Sequence, residues 1–312
     1  MSCCTPSRDF SSGSFEPGLP PSANMKADQP PRRINFQATR SFVGTDEPII
    51  ARDGEGPRRP VKLRRFALET TTVTNARFTT FVAATGYVTE AERFGWSTVF
   101  RGLLPPGSAD AALPAEGDLR WWTKIDGACW SSPEGSGSSI AERMDHPAVH
   151  LSWADARAFA TWCGGRLPTE AEWEHAARGG LTDPRFPWGD EEPTDGRVFC
   201  NIWQGEFPRS NSLADGYLGT SPVDRFAPNG DGLYGMAGNV WEWTQDAFRV
   251  RSASQDAKAR NKTARETSEK VLKGGSFLCH RSYCYRYRIA ARSAMTSDSS
   301  TSNAGFRVAY DL

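Results

Sequence analysis

The chain has 312 residues, 37 basic and 37 acidic, with a pI near 6.9. That balance excludes a dedicated nucleic-acid or membrane-surface binder, which would carry a basic surplus, and no stretch approaches the roughly 18 apolar residues of a membrane span. The length admits two average domains or one large irregular one, and 11 Trp, 29 Gly and 21 Pro point to a large domain rich in turns and aromatic anchors.

Residues 1–33 are rich in Ser, Pro and Gly without apolar periodicity, and read as a disordered tail. Their opening, "MSCCTPSRDFSSGSFEPG", has neither an apolar h-region nor a basic n-region, so no secretory signal is read. A cytoplasmic setting with reduced thiols is expected. Cys3 and Cys4 lie in this tail with no further ligand following them. Order is expected from residue 34 to 312. "VKLRRFALETTTVTN" reads as a strand from its β-branched and aromatic content. Thr74 caps a helix through Ala84, with Phe78, Phe81 and Val82 at helical spacing and Gly86 as the stop. Residues 102–118 and 131–143 are loop-like, and "LRWWTKIDGACW" between them reads as a strand pair carrying Cys129. Ser152 and Asp155 open a second helix with a stripe of Ala156, Phe159, Ala160 and Cys163. Thr169 and Glu172 form a capping box for a third, ended by Gly179. Beyond 180 the chain turns Gly/Asn/Asp/Trp-rich, and 253–270 reads as a charged exposed loop. No internal repeat is visible, and the pattern is α+β with few helices and short antiparallel strands.

Chemistry concentrates in "GGSFLCHRSYCYRYRIAARS" (274–293), where Cys279 and Cys284 stand five apart among cations. A helix separates i and i+5 by about 140°, and a strand puts them on opposite faces. The two sulfurs cooperate only if the chain bends across "HRSY". His280, Arg281, Arg286 and Arg288 would favour thiolate. Two thiolates alone make a poor zinc site, which wants four ligands, but suit soft, low-coordinate Cu(I). A disulfide or two unrelated thiols are the plain competitors. Cys129, Cys163 and Cys200 read as structural. Histidine is scarce: in "DHPAVH", Pro147 argues against the helix that would align His146 with His150. An oxygen-rich set, "NIWQGEF", "LADGY" and "GLYGMAGNVWEW", offers carbonyls and carboxylates in glycine turns. If the last is extended, Glu242 faces away from Trp241 and Trp243 and is available to Ca²⁺, against the competing reading of ion-free hydrogen-bonded turns. "PNGDG" is no EF-hand, because Val240 stands where Glu is needed.

"GRLPTEAEWEHAARGG", "FPWGD", "NIWQGEFP", "GLYGMAGNVWEWT", "GGSFLCHRSYCYRYR" and "DSSTSNAGFR" occur in this order, and the sequence from about residue 34 onward resembles the formylglycine-generating enzymes, or sulfatase-modifying factors. The usual glycine-rich entry is replaced by "ATRSFVGTDEP". The resemblance implies a single domain of low regular secondary structure related to C-type lectins. It implies a monomeric oxidase that uses O₂ to convert the cysteine of a Cys-x-Pro-x-Arg segment, in an unfolded sulfatase, to Cα-formylglycine. Cys279 and Cys284 would hold Cu(I), with the substrate cysteine as a third sulfur. Ser276 and Tyr283 would be active-site hydroxyls, and Trp241, Asn303 and His280 would lie in the substrate pocket. One structural Ca²⁺ would take Asn201, Asp215 and the carbonyls of Ile202 and Tyr217. A second would take Glu242 and the carbonyls of Gly235, Gly238 and Val240. Positions of the disulfides of secreted vertebrate members are Ala160, Ala177, Ile289 and Val308 here. A non-catalytic peptide- or glycan-binding relative is the alternative, and the cysteine pair speaks against it. A thiol–disulfide oxidoreductase would prefer Cys-x-x-Cys at a helix start, which is absent.

Overall fold

Helix starts follow cap chemistry in the computed structural model, which describes residues 6–8, 31–105, 121–194 and 196–312. Thr74 is extended and accepts from the Arg77 amide, and α1 (Asn75–Thr85) ends at a left-handed Gly86. α2 (Glu90–Phe94) opens with a capping box of Thr89 and Glu92. α3 (Trp153–Trp162) and α4 (Glu170–Ala177) have both arms of the expected Ser152–Asp155 and Thr169–Glu172 boxes in place. Each such cap satisfies amides that the helix leaves without partners, and contributes about 1 kcal/mol. The apolar stripes of α1 and α3 meet in the core: Phe78 stacks on Phe159 at 5.8 Å, and Phe81 meets Trp162 at 5.3 Å.

The strands are short and paired at long range. The stretch read as one strand breaks at Arg64 and Arg65, both exposed. β3 (Arg59–Leu63) pairs with β2 (Thr39–Val43), and β4 (Phe66–Glu69) lies between β1 (Arg33–Phe36) and β13 (Ala309–Asp311). A strand points adjacent side chains to opposite faces, so a continuous strand would turn one of these two charges toward the core, and the chain changes sheets there. "LRWWTKIDGACW" forms a single strand instead of a pair: β6 (Trp122–Asp126) takes as its partner β5 (Trp96–Phe100). β7 (Gly205–Glu206) and β8 (Ser210–Asn211) make a small ribbon. The sheet that positions the site runs in the order β11 (Ser293–Thr296), β10 (Glu269–Lys273), β9 (Trp241–Ala247), β12 (Ala304–Gly305), with β12 parallel to β9.

One further expectation is corrected. Residues 253–270 contain a helix, α5 (Gln255–Glu266), capped by Ser254. It buries only Ala257 and Ala264, seven apart, a stripe too narrow to stand out in a charged sequence. Within the stretch read as a disordered tail, Pro6 and Arg8 are buried against the body of the protein. Residues 1–5, with Cys3 and Cys4, and residues 9–30 lie outside the described residues, as does most of the 102–118 loop. Among the described residues no helix is long and apolar enough to cross a membrane.

A candidate active site at the Cys279–Cys284 turn

β10 delivers the chain to Gly274 and Gly275, at φ 90° and 75°. A Cβ on Gly275 would lie 3.1 Å from Cys279 Sγ and 3.0 Å from Tyr287 Cα, so both the left-handed backbone and the close approach require glycine. The chain then wraps around one acceptor. The His280 carbonyl receives the amides of Tyr283, Cys284 and Tyr285 at 3.0, 2.8 and 3.1 Å. This is the bend expected across 280–283, and it brings Cys279 Sγ to 3.0 Å from Cys284 Sγ, both buried. The gap exceeds the roughly 2.05 Å of a disulfide.

Cys279 is pinned on every side. Its amide donates to the Ser276 carbonyl at 2.8 Å, its carbonyl accepts from the Trp203 amide at 3.0 Å, and its sulfur accepts from the Ser276 amide at 3.4 Å. Of the four cations expected near the thiols, Arg286 reaches one, with Nη1 3.7 Å from Cys284 Sγ, while pairing with Asp53 at 2.5 Å. Arg288 is committed to Glu55 at 2.5 Å, and Arg281 is exposed. His280 turns its Nδ1 to Ser282 Oγ at 2.7 Å. Two other thiols are kept protonated by burial, which pushes Cys163 up to about 12 and Cys200 up as well.

Behind the sulfurs lies a buried polar relay. Thr301 Oγ1 donates to Asn303 Oδ1 at 2.7 Å, and Asn303 Nδ2 donates to Ser276 Oγ at 2.9 Å. Trp241 fixes Asn303 through its amide, which donates to the Asn303 carbonyl at 2.8 Å, and its own ring is fully buried in the core. Tyr283, half-buried, stacks on Phe207 with centroids 4.4 Å apart and meets Trp121 edge-on at 5.0 Å. A cleft of about 490 Å³ opens beside these rings, lined by Phe100, Trp121, Trp203 and Arg209 among others. Trp121, Trp203 and Phe207 escaped the sequence reading; the aromatics within "NIWQGEF" were the available signal. Asn239 escaped it too. At φ 60°, this residue receives the Phe277 amide on its carbonyl, and its side chain bonds Asn201 and Ser221.

The two oxygen-rich loops differ in fit to a hard cation. Asn201 Oδ1 and Asp215 Oδ2 are buried without a partner among the described residues. Orphaned buried oxygens of this kind are what Ca²⁺ coordination satisfies. The backbone carries Asn201 and Ile202 directly into Trp203, which holds Cys279. Glu242 is spent otherwise: it accepts from Arg307 Nε and Nη2 at 2.6 and 2.7 Å and from Trp173 Nε1 at 2.9 Å. Gly235, Gly238 and Val240 form the expected turn before β9, but its carboxylate is already neutralised, so this set fits Ca²⁺ poorly. Among the described residues no three His, Cys, Asp or Glu side chains gather around one point, as a bis-cysteine site and a carbonyl-rich site both allow. His146 and His150 lie on separate contacts, to Thr220 and Ser97, and burial lowers His150 to about 3.

The model of the sulfatase-modifying factor enzyme 1-like domain matches residues 23–312. A formylglycine-generating enzyme of Thermomonospora curvata is 53% identical over 273 residues, covering 86% of this chain and 89% of that protein. An inactive Cα-formylglycine-generating enzyme 2 of Bos taurus is 42% identical, covering 88% and 87%. The solved structure of PvdO from Pseudomonas aeruginosa shares the fold, with a TM-score of 0.61 at 23% identity over 95% of this chain and 100% of that one. With most of its length matched and an α+β architecture in common, the chain belongs to the sulfatase-modifying factor, or formylglycine-generating enzyme, family.

Proposed function

We propose that this protein is a copper-dependent oxidase that converts the cysteine of a Cys-x-Pro-x-Arg segment, in an unfolded sulfatase, to Cα-formylglycine. The supporting observation is the buried approach of Cys279 and Cys284 to 3.0 Å, backed by the Asn303–Ser276 relay. The balance is explicit. The thiol CH₂SH, O₂, and two electrons with two protons from a thiol reductant give the aldehyde CHO, H₂S and H₂O; the C–S bond breaks and a C=O bond forms.

Cys279 and Cys284 offer two soft sulfurs and no oxygen ligand, a set that selects Cu(I). Bound there, copper would supply the one-electron chemistry with O₂ and a soft seat for the substrate thiolate. The chain's own groups do the rest. Ser276 Oγ accepts from Asn303 Nδ2 and from the Leu278 amide at 3.4 Å, which leaves its O–H proton to hold oxygen or water. Tyr283 and Phe207 present an aromatic wall to the substrate backbone and proline. Ca²⁺ at Asn201 and Asp215 would stiffen the loop whose Trp203 amide holds Cys279.

The test is incubation of a Cys-x-Pro-x-Arg peptide with the protein, copper, O₂ and a thiol reductant, read by mass spectrometry. Loss of sulfur and two hydrogens with gain of oxygen is expected. Cys279→Ser and Cys284→Ser each reduce conversion to background and abolish tight Cu(I) binding. Full turnover by either variant ends the mechanism, and a wild-type chain that binds the peptide without converting it returns the binding-module reading.

A further inference from the structure

The stretch Cys4-Thr5-Pro6-Ser7-Arg8 has the pattern Cys-x-Pro-x-Arg, and its last three residues are described. Pro6 and Arg8 are buried while Ser7 between them is exposed. That alternation buries the two residues the pattern specifies and exposes the one it leaves open.

Arg8 is held as a ligand would be. Its guanidinium lies between the rings of Phe94 and Trp96, 4.1 Å from each centroid. Nη2 donates to the Trp96 carbonyl and to Ser300 Oγ, each at 2.8 Å, and the backbone amide donates to Ser299 Oγ at 2.7 Å. Ser7 Oγ accepts from the Thr296 amide at 3.3 Å. The receiving surface is built from buried groups: Ser300 Oγ lies 2.8 Å from Ser97 Oγ, and Ser97 Oγ lies 2.8 Å from His150 Nδ1. Burial lowers Arg8 to about 10, and Asp298, Glu90 and Asp155 nearby oppose that by favouring its charge. The hold is incomplete, because Nε and Nη1 are buried with no partner among the described residues. An unsatisfied buried donor costs about 1–3 kcal/mol, which suits an occupant that can be displaced.

The clamp stands beside the candidate active site. Ser300 is three residues before Asn303, at most about 11 Å of chain, and Asn303 bonds Ser276, whose amide bonds Cys279 Sγ. The four residue steps from Arg8 back to Cys4 span at most about 14 Å, which limits how far from the clamp the motif's cysteine can lie.

Resting on the oxidase reading above, we propose that Pro6–Arg8 occupy part of this protein's own substrate groove in cis and compete with the external Cys-x-Pro-x-Arg segment. A tethered competitor acts at an effective concentration in the millimolar range, so it raises the apparent KM without touching kcat.

The test compares the full chain with its Arg8→Ala variant, using a fluorescently labelled Cys-x-Pro-x-Arg peptide for binding and the same peptide, unlabelled, for turnover. Arg8→Ala is expected to tighten binding about tenfold or more and to lower KM by the same factor at unchanged kcat. Pro6→Ala shifts the Kd in the same direction by less, and serves if Arg8→Ala melts early. Equal or weaker peptide binding by both variants overturns the proposal, whether or not the peptide is oxidised. Tighter binding by Arg8→Ala with no oxidation by any chain upholds the occupancy and overturns the oxidase reading instead.

Discussion

Asp215 and Glu242 are both buried carboxylates beside glycine turns, yet the protein uses them in opposite ways. Glu242 sits in β9 against Arg307 and Trp173, with its charge compensated inside the chain. Asp215 has one oxygen bonded to the Tyr217 amide at 3.0 Å, while its other oxygen and Asn201 Oδ1 have no partner among the described residues. A buried carboxylate must find a cation or protonate. Where the fold supplies an arginine, the residue becomes a structural tie; where it does not, a buried oxygen is left without a partner among the described residues, as the proposed calcium site would require. Sequence character is the same in both loops, and only the neighbour differs.

The largest effect expected from this contrast is at Arg307. Arg307→Met strands the Glu242 charge in the core and should cost about 3–5 kcal/mol in urea unfolding, whereas Arg307→Met with Glu242→Leu should recover much of it. Next comes calcium. If Asn201 and Asp215 hold Ca²⁺, free calcium at a hundred times its Kd adds about 2.7 kcal/mol, seen as a rise in melting temperature. Asp215→Asn should erase that rise and Glu242→Gln should retain it; the opposite pattern breaks the comparison. The smallest effect is on rate. Chelating calcium should slow peptide oxidation by less than about tenfold, equivalent to 1.4 kcal/mol of barrier, because it loosens Cys279 only through the Trp203 amide.

Three of the five helices among the described residues are legible almost to the residue, while α2, with its Thr89–Glu92 capping box, is not among them. Thr74, Ser152 and Thr169 begin α1, α3 and α4 as read, since a cap is a bond to an amide three residues on. The α5 helix was not, because its two buried alanines carry too little apolar signal among charges. The strand pairing of β6 failed for a different reason: Trp122 faces Phe100, 22 residues earlier in the chain, so the partner is not a neighbouring stretch. Among the site residues, the cysteine pair and the need for a bend were visible, but the roles of Trp203, Asn239 and the Arg8 clamp were not.

From the sequence alone came the α+β class, the helix caps, the thiol pair and the requirement that the chain fold back between Cys279 and Cys284. These depend on neighbours a few residues apart, whose chemistry is written in order along the chain. The tertiary structure alone decided that Arg307 would neutralise Glu242 from 65 residues away, that Asp215 would be left wanting, and that Arg8 would find Ser300. Such pairings are set by which loops close and how sheets register, and burial then gives each polar group its partner or leaves it without one.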